Sequence, residues 1–133
     1  MDQAPTHTAL QLRSLVRSSG ELEVSLQDMP VPEPGADEVL VRIQATPINP
    51  SDLGLLFASA DTGNAVYSPG KVVAKMPDNA TRAMKARHGM AMPAGNEAAG
   101  TVVAAGAGAE HLMGKRIACV PGTAYGSYAY AEA

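Results

Sequence analysis

Few side chains in this sequence are of the types that attack a carbonyl or hold a metal, and their spacing keeps them apart. His7, His88 and His111 are scattered along the chain, and none stands at ligand spacing from another histidine or from Cys119. Solvent-exposed or capping histidines are the expectation, with His88 favouring the end of a predicted helix when protonated. No four-cysteine lobe exists for a structural zinc. Neither a serine nor Cys119 lies in the G-x-S-x-G pattern of a strand-turn-helix nucleophile. Gly106-Ala-Gly108 opens the G-x-G-x-x-G pattern of a pyrophosphate cradle, but His111 fills its last position. No long helix or acidic residue of a βαβ unit follows, so a surface turn between strands is expected there. What remains is Asn49-Pro-Ser-Asp52, Gly95-Asn-Glu97, Tyr125 and Tyr128. These supply amide and hydroxyl donors, the groups that hydrogen-bond and polarise a carbonyl oxygen, together with carboxylates, which only accept.

The elements that must position them are built from a modest stock of residues. The 133 residues give room for one domain, residues 1–133. A chain of this size buries roughly two-thirds of the surface its unfolded form exposes. Much of the 46% hydrophobic content is alanine, and Phe57 and four tyrosines are the only aromatic bulk. At about 25 cal/mol per Å² such residues make a thin core and a modest stability margin. A net charge of −3 with no basic block argues against nucleic acid as a partner. The single Cys119 excludes an internal disulfide and fits a reducing compartment. Within Ile117-Ala-Cys-Val120 it reads as a small buried residue rather than a reactive thiol. Met1 to His7 has no charged-then-apolar signal layout, and no run approaches the roughly 18 apolar residues of a membrane helix. A soluble, cytoplasmic protein is expected.

Along the chain, short strands alternate with turn chemistry. Ala9 to Val16 reads as a strand, ended by Ser18-Ser-Gly20. Leu22, Val24 and Leu26 alternate with polar residues at the period of a half-buried strand. Met29-Pro-Val-Pro-Glu-Pro-Gly35 then favours an extended, unpaired segment, because proline cannot donate to a ladder. Val39 to Ala45 is the clearest strand. Leu53 to Phe57 gives one or two helical turns, with Pro50 at the first helical position and Asn49 as cap. Ser59 to Asn64 is expected as a loop and Lys71 to Lys75 as a strand. Asp78 to His88 is expected as a helix capped by Asp78 or Asn79 and stopped by Gly89. Thr101 to Ala105, Arg116 to Val120 and Gly126 to Ala133 complete the strands. Many short strands and few helices imply a mainly β fold, a compact and partly open β-barrel.

Taken in order, Asp28 to Gly35, the strand Val39 to Ala45, Ile48-Asn-Pro-Ser-Asp52, Gly95-Asn-Glu-Ala-Ala-Gly-Thr-Val103, Gly114-Lys-Arg-Ile-Ala118 and Gly126-Ser-Tyr128 resemble the medium-chain dehydrogenase/reductase superfamily. The resemblance runs from about Leu22 to the end, with residues 57–94 aligning least readily. It implies a GroES-like, alcohol dehydrogenase-like β-barrel, normally followed by a Rossmann domain that binds NAD or NADP. No such domain is expected within this chain, and the GroES-like domain itself is expected to be incomplete. In the zinc alcohol dehydrogenases of the superfamily, a cysteine and a histidine occupy the positions matching Asn49 and Asn96. Asparagine replaces neither a thiolate nor an imidazole as a zinc ligand. The Asn-Pro-x-Asp form is instead similar to the zinc-independent quinone oxidoreductase and enoyl-reductase branch, so no metal site is expected.

The resemblance sets Asn49 and Pro50 beside the nicotinamide, and Asn49, Asp52, Asn96, Glu97 and Tyr128 beside the substrate. Asn49, Ser51 and Tyr125 are the catalytic candidates. Ser51 matches a proton-relay hydroxyl, but capping of the helical turn is the favoured reading for it. Tyr125 and Tyr128 either line a cleft or pack in strands, and Glu97 has the backbone or Arg42 as possible partners. The implied reaction is hydride transfer to a carbon conjugated with a carbonyl of a quinone or enone. Without zinc nothing lowers the pKa of a saturated alcohol. The expectation is therefore the substrate-side domain of a zinc-independent NAD(P)H-dependent oxidoreductase, inactive alone, with a homo-oligomer possible. The alternative is a stand-alone, non-catalytic GroES-like binding or assembly module. A metal-dependent dehydrogenase with other ligands is the third reading.

Overall fold

The computed structural model describes residues 8–133. His7 and the reading of Met1 to His7 as lacking a signal layout lie outside the described residues. The elements in order are β1 (Thr8–Arg17), β2 (Glu21–Pro30), β3 (Glu38–Ala45), α1 (Pro50–Phe57), β4 (Val66–Ser68), β5 (Lys71–Lys75), α2 (Asp78–Ala83), β6 (Ala91–Pro93), β7 (Ala98–Ala105), β8 (Arg116–Cys119) and β9 (Tyr128–Glu132). Three short 3₁₀ turns punctuate them at Thr62–Asn64, Lys85–Arg87 and Glu110–Leu112. The fold is mainly β, as its alternating patterns predict, in two antiparallel sheets. One has the order β4-β5-β2-β1-β6 and the other β8-β7-β3-β9.

The chain divides into two compact units. The described part of the first comprises residues 8–11, 28–47 and 95–133. Its four-stranded sheet packs Val39, Val41, Val102 and Ala109 into a core, with Ile43, Leu112, Ile117 and Cys119 against them. This is the thin valine-and-alanine core the composition predicts. β3 lies between β7 and β9, so it is covered on both edges, and Leu40 is buried as well as its neighbours Val39 and Val41. Strict alternation fails there, and the β3–β7 register shifts between Leu40 and Val41 and again between Ile43 and Ala45. Cys119 is half-buried rather than buried. Partial desolvation still pushes its thiol up from the usual range.

The second unit comprises residues 12–27 and 48–94. Leu22 and Val24 are buried as the alternation predicts, but Leu26 is exposed and Ser25 takes the inward place. β2 also runs two residues into the proline-rich stretch, ending at Pro30, where a missing N–H costs no ladder bond. The expected helix over Asp78 to His88 is cut to α2 and a 3₁₀ turn. Pro77, not Asp78 or Asn79, precedes its first turn, and Thr81 donates its hydroxyl back to the Pro77 carbonyl at 3.0 Å. Such a bond competes with straight helix continuation. Gly89, at φ +76°, ends the segment as expected. β4 and β6, each three residues long, carry too little pattern to be read from sequence. No helix among the described residues is long and apolar enough to cross a membrane.

Candidate functional site

The asparagine segments each sit in one of the two units, on backbone held by specific bonds. In the second unit Asn49 precedes α1 in an extended conformation, with Pro50 opening the helix. The Asn49 carbonyl accepts from the backbone N–H groups of Asp52 and Leu53 at 3.0 and 3.3 Å. Asp52, 1% exposed, turns its carboxylate back onto the Asn49 N–H at 2.9 Å. That is the return half of a capping box, and a negative charge suits a helix N-terminus. Asp52 therefore shapes the turn that presents Asn49, while Ser51 is exposed.

The far end of α1 is fixed just as specifically. Ser14, fully buried on β1, donates its hydroxyl to the Leu55 and Leu56 carbonyls at 3.2 and 3.1 Å. Arg87 adds guanidinium contacts of 3.4 Å to the Leu55 carbonyl and to the Ser14 hydroxyl. The last carbonyls of a helix have no partner within it, and a cation there complements the dipole. Burial lowers the Arg87 pKa from its ordinary value. His88 is a capping histidine: its Nε2 lies 2.9 Å from the Thr81 carbonyl, as a donor in the tautomer that bond requires.

In the first unit, Asn96 and Glu97 are exposed between a buried Gly95 and the start of β7. Three consecutive carbonyls are held here without any ladder partner. Ala124 N–H donates to Gly95 at 3.0 Å, Gly122 N–H to Asn96 at 3.4 Å, and Thr46 Oγ1 to Glu97 at 2.7 Å. The Tyr125 ring lies over Gly95, so close that a Cβ there would stand 2.7 Å from its Cδ1. Its hydroxyl donates to the Pro47 carbonyl at 3.0 Å. A cleft of about 500 Å³ opens alongside, lined by Thr46, Pro47, Glu97, Ala98, Ala118 and Val120 among others. Tyr128 is elsewhere in this unit, opposite Arg42 on β3, where both line a separate hollow of about 360 Å³ with Val31 and Leu40.

The structure thus gathers Asn96, Glu97 and Tyr125 in one unit, holds Asn49, Pro50, Ser51 and Asp52 together in the other, and sets Tyr128 on a separate hollow. Thr46, Ser14 and Arg87 escaped the sequence reading. The partner of Thr46 is 51 residues away, and nothing local announces it.

The Gly106-Ala-Gly108 segment does not fit a pyrophosphate. Gly106 and Gly108 lie against the chain itself: added Cβ atoms would meet the Gly35 carbonyl at 1.9 Å and the Asp37 carboxylate at 2.2 Å. The space a pyrophosphate would need is filled by residues 35–37, so this Gly-Ala segment is the surface turn its sequence predicts. Nor do three His, Cys, Asp or Glu side chains converge to hold a metal ion among the described residues.

Residues 35–131 match the alcohol dehydrogenase GroES-like domain family. The sorbitol dehydrogenase of Gallus gallus is 33% identical over 119 residues, covering 86% of this chain and 26% of that protein. The chain thus spans about a quarter of that curated relative. The quinone oxidoreductase of Coxiella burnetii superposes with a TM-score of 0.59 at 16% identity, over 93% of this chain and 35% of that one. A mutant enoyl thioester reductase of Candida tropicalis gives 0.53 at 17%, over 94% and 32%. At these identities the likeness shows the fold. With most of its length matched, the chain belongs to the alcohol dehydrogenase GroES-like domain family of the medium-chain dehydrogenase/reductase superfamily.

Proposed function

We propose that the chain is the substrate-side domain of a zinc-independent NAD(P)H-dependent oxidoreductase that reduces quinones or enones. The observation that carries this reading is Asn96, an amide on a backbone held on either side within the first unit, with Asn49 a second candidate amide in the other unit. An amide N–H donates to a carbonyl oxygen and withdraws charge from the conjugated carbon, which is what an electron-poor acceptor requires. Pinned donors need no reorganisation as charge develops on that oxygen. Asp52 holds the turn bearing Asn49, and Ser51 places a hydroxyl at the same helix start. Glu97 and the apolar walls of the adjoining cleft supply one polar and several apolar contacts, in keeping with a small conjugated ligand. Gly106 and Gly108, packed against residues 35–37, take no part in holding the nucleotide. These 133 residues alone are expected to show negligible NADPH turnover with a quinone.

The name of the Gallus gallus relative favours a second reading, oxidation of an alcohol. Alcohol oxidation needs a means of removing the hydroxyl proton, commonly a metal ion. Neither asparagine supplies one. The test is a titration of the ¹⁵N-labelled chain with menadione, a quinone. Shifts confined to the amides of Asn49 to Asp52, Asn96 and Glu97 support the proposal. Saturable shifts elsewhere, or none, count against it.

A further inference from the structure

We infer that Thr46 and Tyr125 are positioning residues for Asn96, with Tyr125 acting through the backbone rather than as a proton donor to substrate. The inference rests on the reading that Asn96 meets the substrate carbonyl, and it concerns the first unit alone. Asn96 precedes β7, so no strand partner fixes its backbone. The residues on either side are held instead. Before it, Gly95 lies buried beneath the Tyr125 ring, at φ +93°, with its carbonyl bonded by Ala124. After it, the Glu97 carbonyl receives the Thr46 hydroxyl at 2.7 Å, the shortest of the three bonds to this segment.

The two devices meet in consecutive residues. Thr46 bonds Glu97, and the next residue, Pro47, accepts the Tyr125 hydroxyl. Proline lacks an N–H, so a side-chain bond to its carbonyl is one of few ways to hold it. Segments 45–47, 95–97 and 122–125 are therefore linked by bonds on either side of Asn96, which is itself exposed. A hydroxyl has a single proton, and Tyr125 gives it to Pro47. In this arrangement it holds the segment and does not protonate a ligand. Restricting a recognition residue before binding lowers the ordering cost that binding must meet.

The test compares wild-type chain with Thr46→Val, Thr46→Ser and Tyr125→Phe, reading menadione affinity by calorimetry. Amide hydrogen exchange at Asn96 and Glu97 is followed without ligand. Thr46→Val removes the hydroxyl and keeps the branched shape, and Thr46→Ser restores the hydroxyl. The expected result is about a fivefold to tenfold weaker affinity for Thr46→Val and Tyr125→Phe, the scale of one hydrogen bond. Exchange at Asn96 and Glu97 should quicken in both, and Thr46→Ser should stay within about twofold of wild type. Affinity pH profiles should be unchanged in Tyr125→Phe, as expected of a group that transfers no proton. Wild-type binding that neither Thr46→Val nor Tyr125→Phe weakens, or that Thr46→Ser weakens as much as Thr46→Val, overturns the inference. No binding by the wild type overturns the substrate reading of Asn96 and the inference with it.

Discussion

Replacing Gly95 by alanine should be strongly damaging for a single added methyl group. Two costs add. Gly95 has φ +93°, a region that disfavours a side chain by about 1–2 kcal/mol. A Cβ would also stand 2.6 Å from Tyr125 N and 2.7 Å from its Cδ1, so backbone must shift as well as ring. Overpacking of this kind costs about 1–3 kcal/mol. The sum, roughly 2–5 kcal/mol, is a large part of the 5–15 kcal/mol typical of a domain. At about 4 °C per kcal/mol the melting temperature should fall by roughly 8–20 °C. Circular dichroism melts and urea titrations of wild type and Gly95→Ala measure this. Gly54→Ala is the control. Gly54 lies within α1, where an added Cβ meets nothing within 4 Å, so alanine should stabilise by about 0.5–1 kcal/mol. A cycle with Tyr125→Ala should show the pair costing less than the sum of the singles, since the ring clash vanishes while the φ penalty stays. A Gly95→Ala chain within about 0.5 kcal/mol of wild type would refute this packing of Tyr125 on Gly95.

Other perturbations follow from the same contacts. Ser14→Ala strips the Leu55 and Leu56 carbonyls of their buried donor and should cost about 1–3 kcal/mol in urea titrations; no loss would mean α1 is not held there. Asp52→Ala should cost about 1–2 kcal/mol by the same assay, through loss of the bond that closes the α1 N-terminus. Burial raises the Cys119 thiol, and burial with Glu38 and Glu33 raises the Tyr130 phenol. A raised folded pKa gives stability that is present below the unfolded pKa and lost as pH rises through the folded one. Melting temperature should thus hold from pH 7 to about 8 and decline at higher pH, modestly because both groups are partly solvated. Reaction of Cys119 with a disulfide reagent at pH 8 should be slower than that of free cysteine; a faster reaction would contradict its raised pKa.

What could be read from the sequence is what local pattern encodes. Val39 to Ala45 alternates over seven residues with the period of a strand, and β3 (Glu38–Ala45) is there. Pro50 after Asn49 marks a helix start, and α1 begins at Pro50. The errors share one cause, that tertiary contacts are invisible locally. Leu26 and Leu40 are equally apolar and both sit on strands flanked on either edge, yet Leu26 is 51% exposed and Leu40 only 3%, because burial is decided by what covers each sheet face. Asp78 to Gly89 has helical spacing throughout, but the helix stops at Ala83. At the site, Asn49, Asn96 and Glu97 stood out by residue type and by order along the chain. Thr46, Ser14 and Arg87 did not, since each works through a backbone carbonyl of a residue remote in sequence. Carbonyls are present at every position, so sequence says nothing about which one will be used.

The central claim is that the Asn96 amide of the first unit receives an electron-poor carbonyl rather than an alcohol. Its most direct test is calorimetric titration of the chain with 2-cyclohexenone and with cyclohexanol, each with and without equimolar zinc. The predicted result is tighter binding of the enone in both conditions, weakened at least about fivefold by Asn96→Ala. Cyclohexanol binding tighter than the enone, or appearing only with stoichiometric zinc, would contradict it.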